Sequence, residues 1–288
     1  MDPQPDEISL RDLFDALWSR RWLITACAVG FGIVAVGISY VMPEKYVATV
    51  VLSPVEDDTA GKLGGAGALL SQFGGLSSLA GLSGGSGRRA IAVATLQSHA
   101  LTETFIRDND LVPVLYAHKW DAAKKTWKTT DPDEIPTPWK AERRFAKKVR
   151  DVSEDKKSGL VTLAITWTDP KLAAQWATEL VSRANRDLRT RAINESQINL
   201  AYLNEQLTKT SVVELQKAIS SLIEAEIKKV MIANGREEFA FRVVDPAQVA
   251  EERDSPKRAL ISVLGFIVGL VLGVMVALAL PARSKAGA

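Results

Sequence analysis

Residues 259–280 read ALISVLGFIVGLVLGVMVALAL, and residues 22–42 read WLITACAVGFGIVAVGISYVM. Neither run contains an Asp, Glu, Lys or Arg. As helices, such runs extend about 31–33 Å, the thickness of one hydrocarbon core. The first is too long for the core of a signal peptide, and Met42-Pro43-Glu44-Lys45 follows it instead of a small-residue cleavage site. Ile24-Thr25-Ala26 before Cys27 resembles a lipoprotein cleavage box only loosely. Both runs therefore read as retained anchors. Arg20-Arg21 precedes the first, and Arg283 and Lys285 follow the second, so the positive-inside bias holds both chain ends on the cytoplasmic side. Residues 43–258, a segment long enough to translocate regardless of its own charge, then face outward.

The expected fold is an α+β membrane protein, two transmembrane helices flanking an α/β base domain with a long protruding helix. The boundaries are 1–21 for a cytoplasmic segment, 22–42 for the first span and 43–258 for the outward domain. The second span is 259–280 and the cytoplasmic tail 281–288. Within the domain, Tyr46–Leu52 and Phe239–Val244 are β-branched and alternating, and the double tether predicts that they share one sheet at the membrane-proximal base. Lys148–Val152 and Leu160–Trp167 flank Glu154–Gly159 and predict a hairpin. Helical spacing covers Arg88–Asp108 and Trp139–Val149. Thr168-Asp169-Pro170 reads as a cap followed by Pro at the first helical position, and no Pro or Gly follows until Gly235. A helix over about 171–234 is too long for one small globule to cover. β-branched residues at Thr208–Val213 mark a place to break it. Its apolar stripe drifts, from Leu200, Leu203 and Leu207 to Ile223, Ile227 and Val230, which suits a projecting helix packed on its own domain and on neighbouring subunits better than a strict coiled-coil seam. Residues 61–87 include ten glycines but also seven Leu or Phe, too apolar for a plain tether and too Gly-rich for a stable helix. They are expected to pack on something apolar.

Chemistry is sparse. The charge balance, 36 basic against 34 acidic residues, lacks the basic excess of a nucleic-acid binder. The single Cys27 lies inside the first apolar run, which excludes a disulfide framework and disfavours a reactive thiolate. Two histidines, His99 and His118, leave little for metal or acid–base work, and no phosphate-loop motif is present. Glu56-Asp57-Asp58 and Asp131, Asp133 and Glu134 sit among turn formers and read as solvated loops. An enzyme is not expected, nor a cofactor or metal. Trp120 and Trp127, interleaved with Lys119, Lys124, Lys125 and Lys128, could stack on sugar rings or bind an anionic polymer. Equally, they could anchor a polar hairpin. Gly265, Gly269 and Gly273 recur every four residues and form a groove for helix–helix packing in lipid. The first span offers Ala28 and Gly32 on one face, and Gly30 and Gly37 on another.

Taken together, these residues resemble the chain-length determinants, the Wzz-type polysaccharide co-polymerases. Ile8–Trp18 with Arg20-Arg21-Trp22 resembles the family's cytoplasmic lead-in, and Thr95-Leu96-Gln97-Ser98 with Phe105-Ile106 its first domain helix. Thr166–Pro170 with Ala173-Ala174 and Trp176-Ala177 is similar to the start of its long helix. Ser255-Pro256-Lys257-Arg258, then Leu264-Gly265 and Gly269, matches its Pro/Gly-rich segment before the second span, although Val249–Arg253 lacks the further prolines often found there. The resemblance implies a non-catalytic homo-oligomer in the bacterial inner membrane, with a periplasmic domain. It implies action beside a membrane polymerase that joins undecaprenyl-linked repeats of an O-antigen-like surface polysaccharide. Two other classes compete. One is the adaptor of a separate tyrosine autokinase in capsule or exopolysaccharide export. The other is an efflux or secretion adaptor, which would need no second anchor.

Overall fold

The computed structural model describes residue 18 and residues 21–55 and 85–279. The acidic loop Glu56–Asp58, the Gly-rich stretch up to residue 84, most of the lead-in and the C-terminal tail lie outside the described residues. The chain divides into two compact units at Tyr46/Val47 and at Glu251/Glu252. The terminal unit contains helix α1 (Arg21–Val41) near its start and a second long apolar helix (Arg258–Ala279) near its end.

The internal unit is built on a four-stranded sheet. Strand β1 spans Tyr46–Pro54. Helices α2 (Gly85–Gln97), α3 (His99–Asp108) and α4 (Leu111–Leu115) follow, then the short strands β2 (Trp120–Asp121) and β3 (Thr126–Trp127). Next come α5 (Pro138–Lys148), β4 (Arg150–Glu154), β5 (Val161–Trp167), α6 (Pro170–Lys209), α7 (Val213–Gly235) and β6 (Phe241–Asp245); the last apolar helix is α8. The sheet order is β4-β5-β1-β6. β1 and β6 pair antiparallel, as do β4 and β5, so the two strands nearest the chain ends share a sheet.

Alternate residues make the core, because successive strand side chains point to opposite faces. Ala48, Val50 and Leu52 of β1 and Val161, Leu163 and Ile165 of β5 are buried. Against them lie Leu96, Phe105, Ile106, Phe145 and the first four turns of α6, where Ala173, Trp176, Ala177, Leu180, Val181 and Ala184 are buried. An aromatic cluster fills the centre. Phe105 and Phe145 are 5.5 Å apart, Phe145 and Trp176 6.0 Å, and Trp167 and Trp176 5.1 Å. Fully burying a ring such as that of Phe105 or Phe145 stabilises the fold by about 1.5–3 kcal/mol.

Two expectations need correction. Arg88–Asp108 is not one helix, because α2 ends at Gln97 and Ser98 caps α3 by accepting from the Leu101 N–H at 3.2 Å. The break is filled by Arg150, which donates to the Leu96 carbonyl at 2.8 Å, to the Gln97 carbonyl at 2.9 Å and to the Thr102 hydroxyl. Burial pulls the Arg150 pKa down, opposed by the charge of Glu142. Nor is 171–234 one continuous helix, and it breaks inside the Thr208–Val213 stretch that the β-branched residues marked. α6 begins as read, with the Asp169 carboxylate accepting from the Lys171 and Leu172 N–H groups and Pro170 next in line. It then ends at Lys209, the chain turns over Thr210–Val212, and α7 runs back along it. Glu226 on α7 lies opposite Ser196 and Asn199 on α6, which places the reversal midway between them. Past Asn185, Ser196 is the one buried residue of α6, so the distal part of the hairpin is covered by its own partner helix and little else.

Candidate functional site

In the terminal unit, the site is the pairing of α1 with α8. A β-carbon added at Gly269 would lie 2.7 Å from the Phe31 Cβ, 2.8 Å from the Cys27 carbonyl oxygen and 2.9 Å from the Ala28 Cα. One added at Gly265 would meet the Ala35 Cβ, and one at Gly273 the Ile24 Cα at 3.0 Å. The facing residues descend from 35 to 24 as the glycines ascend, so the helices are antiparallel. The glycine groove is thus filled by the chain's own first helix. Absence of a side chain lets backbones approach closely, which in lipid replaces the hydrophobic drive that water would supply. On α1, Ala28 is 1% exposed and sits in this seam, while nothing lies within 4 Å of a β-carbon added at Gly30 or Gly37. The outer faces of both helices are apolar and exposed, from Trp22, Ile33 and Val34 to Leu260, Val263 and Leu264.

A polar clasp closes one end of this pair. Ser255, Pro256, Lys257 and Arg258 lead into α8. The Lys45 N–H donates to the Ser255 carbonyl at 2.9 Å, and the Asp254 N–H to the Lys45 carbonyl at 2.9 Å, forming a one-residue antiparallel bridge. Pro256 is buried after a cis peptide bond. Lys257 is exposed, and its carbonyl accepts the Ile261 N–H to start the helix. Glu44 binds two guanidinium groups, Arg253 at 2.8 Å and Arg258 at 2.7 Å, and Arg258 also lies 4.2 Å above the Tyr40 ring. One carboxylate shared by two arginines is a charge-assisted link between the two chain segments.

The internal unit places the tryptophans together. Trp120 and Trp127 are direct cross-strand partners in β2–β3, half-buried, with ring centroids 4.9 Å apart at 68°. The two rings meet edge to face, an arrangement that stabilises the hairpin. Lys119 and Lys128 donate to the carbonyls of Glu134 and His118. His118 lies 6.1 Å from the Tyr116 ring, and His99 pairs with Glu142 at 3.0 Å and with Glu103 at 3.7 Å. Cys27 packs in the span seam. Among the described residues no cluster of three His, Cys, Asp or Glu could hold a metal.

Sequence reading missed three polar devices: the Arg150 plug, the Glu44 clasp and Asn185. The Asn185 side chain accepts from the Ala240 N–H at 2.9 Å and the Phe241 N–H at 2.8 Å, and donates to the Phe241 carbonyl at 2.9 Å. It fixes the start of β6 to α6. A buried Asn in an otherwise apolar helical stripe was the one visible sign.

Comparison with known proteins gives two partial family matches. Residues 6–109 match the family model described as Wzz, chain length determinant protein. Residues 207–282 match the model described as GNVR, G-rich domain on putative tyrosine kinase. Among solved structures, a full-length bacterial polysaccharide co-polymerase is 13% identical, covering 94% of this chain and 96% of that one, with a TM-score of 0.42. A fragment of WzzB, polysaccharide co-polymerase from Salmonella Typhimurium, is 13% identical over 74% of this chain and 100% of that one, with a TM-score of 0.27. No curated protein matches the chain significantly. The first match covers 104 of the 288 residues and contains Ile8–Trp18 and Thr95–Ser98, two of the segments on which the resemblance rests. The clasp joins the two matched regions, Glu44 and Lys45 from one and Arg253–Arg258 from the other.

Proposed function

We propose that this protein is a non-catalytic regulator of polysaccharide chain length, a co-polymerase anchored by both ends in the bacterial inner membrane. Its internal unit faces the periplasm and its termini the cytoplasm. The observation that carries the reading is the antiparallel span pair packed at Gly265, Gly269 and Gly273, whose first helix lies within the region that matches the Wzz model and whose second lies within the GNVR match. Antiparallel spans return both ends to one side of the bilayer. Ile198, Tyr202, Leu222, Ile227 and Met231 of the α6–α7 hairpin are large apolar side chains left exposed. They favour a homo-oligomer in which neighbouring hairpins cover each other. The partner is a membrane polymerase handling undecaprenyl-linked repeats, and the ring of hairpins limits how long a growing polymer stays engaged.

The test is the polymer ladder on a gel. A strain lacking this protein is expected to lose its modal chain length, and the wild-type chain to restore it. A ladder that is the same with and without the protein contradicts the reading.

One observation favours a second reading. The GNVR match, described as a domain on putative tyrosine kinases, fits an adaptor for a separate autokinase. Co-purification of an ATP-binding partner whose tyrosine phosphorylation depends on this chain would select it.

A further inference from the structure

We infer that the outer face of α5 binds an acidic polysaccharide, its cations pairing with sugar carboxylates of the uronic-acid type and Trp139 stacking on a sugar ring. This rests on the polysaccharide reading above and adds the chemical class of the polymer.

The inner face of α5 buries Ala141, Glu142 and Phe145. The rest of the helix is a basic surface. Trp139, Arg143 and Lys147 follow one another at four-residue steps, and so do Lys140, Arg144 and Lys148. Like charges at that spacing destabilise a helix, the reverse of what opposite charges do. The only acid on the helix, Glu142, is turned inward against His99 and neutralises none of them. Among the described residues, none of these cations has a carboxylate within 4.0 Å. Lys140 donates to the Asp133 carbonyl, while Arg143 lies 5.3 Å over the Trp139 ring and Arg144 4.7 Å over the Tyr116 ring.

The surroundings reinforce the imbalance. Residues 116–148 contain nine Lys or Arg and five Asp or Glu, in a chain whose totals are 36 and 34. Two of those acids are engaged locally, Asp121 accepting from the Ala123 and Lys124 N–H groups and Asp131 from the Asp133 N–H. A face that keeps its like charges together and unpaired is complementary to a polyanion.

The aromatic residue selects among polyanions. Trp139 is 57% exposed, so one flat apolar surface remains open beside a guanidinium. A sugar ring carrying a carboxylate presents those two features together. An anionic bilayer would favour several apolar side chains among the cations, and this face has one. Trp120 and Trp127, turned on each other, leave Trp139 as the open platform.

The experiment uses the full-length protein in nanodiscs of neutral lipid, with homogalacturonan oligomers as probe and dextran and polyglutamate as controls. Binding to homogalacturonan, weakened by salt and absent with dextran, is expected. The variant Arg143→Gln, Lys147→Gln, Lys148→Gln is expected to bind about tenfold more weakly, equivalent to about 1.4 kcal/mol. Its melting temperature should hold or rise, because repulsion has been removed. Trp139→Ala is expected to weaken homogalacturonan binding and leave polyglutamate binding unchanged. Equal binding by wild type and the triple variant overturns the inference. So does equal binding of dextran, or adhesion to phosphatidylglycerol vesicles through these residues with no sugar binding. If wild type restores the polymer ladder but binds no acidic sugar, the inference fails and chain-length control stands. If the ladder never responds, chain-length control fails, and the binding assay judges this face by itself.

Discussion

The molecule contains two antiparallel helix pairs that are held together in opposite ways. α1 and α8 meet through glycines whose missing side chains bring backbone within about 3 Å of where a β-carbon would sit. α7 lies along α6 with Ile219 and Ala233 buried and Glu226 facing Ser196 and Asn199 of α6, while ion pairs such as Glu226–Lys229 and Glu205–Lys209 stay within one helix. In hydrocarbon, apolar side chains gain nothing by leaving lipid, so close backbone packing must hold the spans. In water, the hairpin can rely on burial, but its pairing leaves Tyr202, Leu222 and Met231 exposed. The first pair is complete within one chain. The second is left with surface to cover.

The largest effect should come from filling the span seam. Overpacking costs about 1–3 kcal/mol even where side chains can shift, and Gly269 faces the Cys27 carbonyl and the Ala28 Cα, which cannot. Gly269→Leu is expected to separate the spans and abolish modal chain length at normal protein levels. Gly37→Leu, with nothing within 4 Å, should be silent in both the cross-linking of α1 to α8 and the gel. Equal behaviour of the two variants would erase the contrast.

A smaller effect is expected where α6 leaves the packed base. Asn185→Ala strands two N–H groups and a carbonyl in a buried site. At about 1–3 kcal/mol for each unsatisfied buried group, thermal melting of the internal unit should fall by several degrees. Asn185→Asp should recover part of that by restoring the acceptor.

The smallest effect lies on the hairpin border. Burial pushes the Glu226 pKa up, but the hydrogen bond from Lys229 and the polar side chains of Ser196 and Asn199 on α6 leave it below the ordinary 4.5. Its contribution is therefore complete above about pH 4.5 and lost as pH falls through the lowered value. Protection of the α7 amides, measured against an intrinsic exchange rate that itself slows with falling pH, should drop below pH 4.5, and Glu226→Gln should remove that drop.

Legibility in the sequence followed the range of the forces. The spans announce themselves by composition, and β1, β5 and β6 by alternation, because burial on one face repeats every second residue. The Thr210–Val212 break carried a local signal in β-branched residues. The break at Ser98 did not, because what fills it is Arg150, more than fifty residues away. Asn185 and Glu44 likewise act across 55 or more residues, on backbone atoms or on arginines, and leave no periodic trace. The glycine groove was visible as a packing surface, but its occupant, the chain's own first helix, was not.

The central claim, a chain fixed in the membrane at both extremities with its internal unit outside, is tested most directly by cysteine labelling in intact cells on a Cys27→Ser background. Single cysteines at Lys125 and Lys147 should react with a membrane-impermeant maleimide added from the periplasmic side, while cysteines at Arg11 and Lys285 should react only after the inner membrane is opened. Labelling of position 285 from outside, or loss of position 11 from the mature protein, would contradict it.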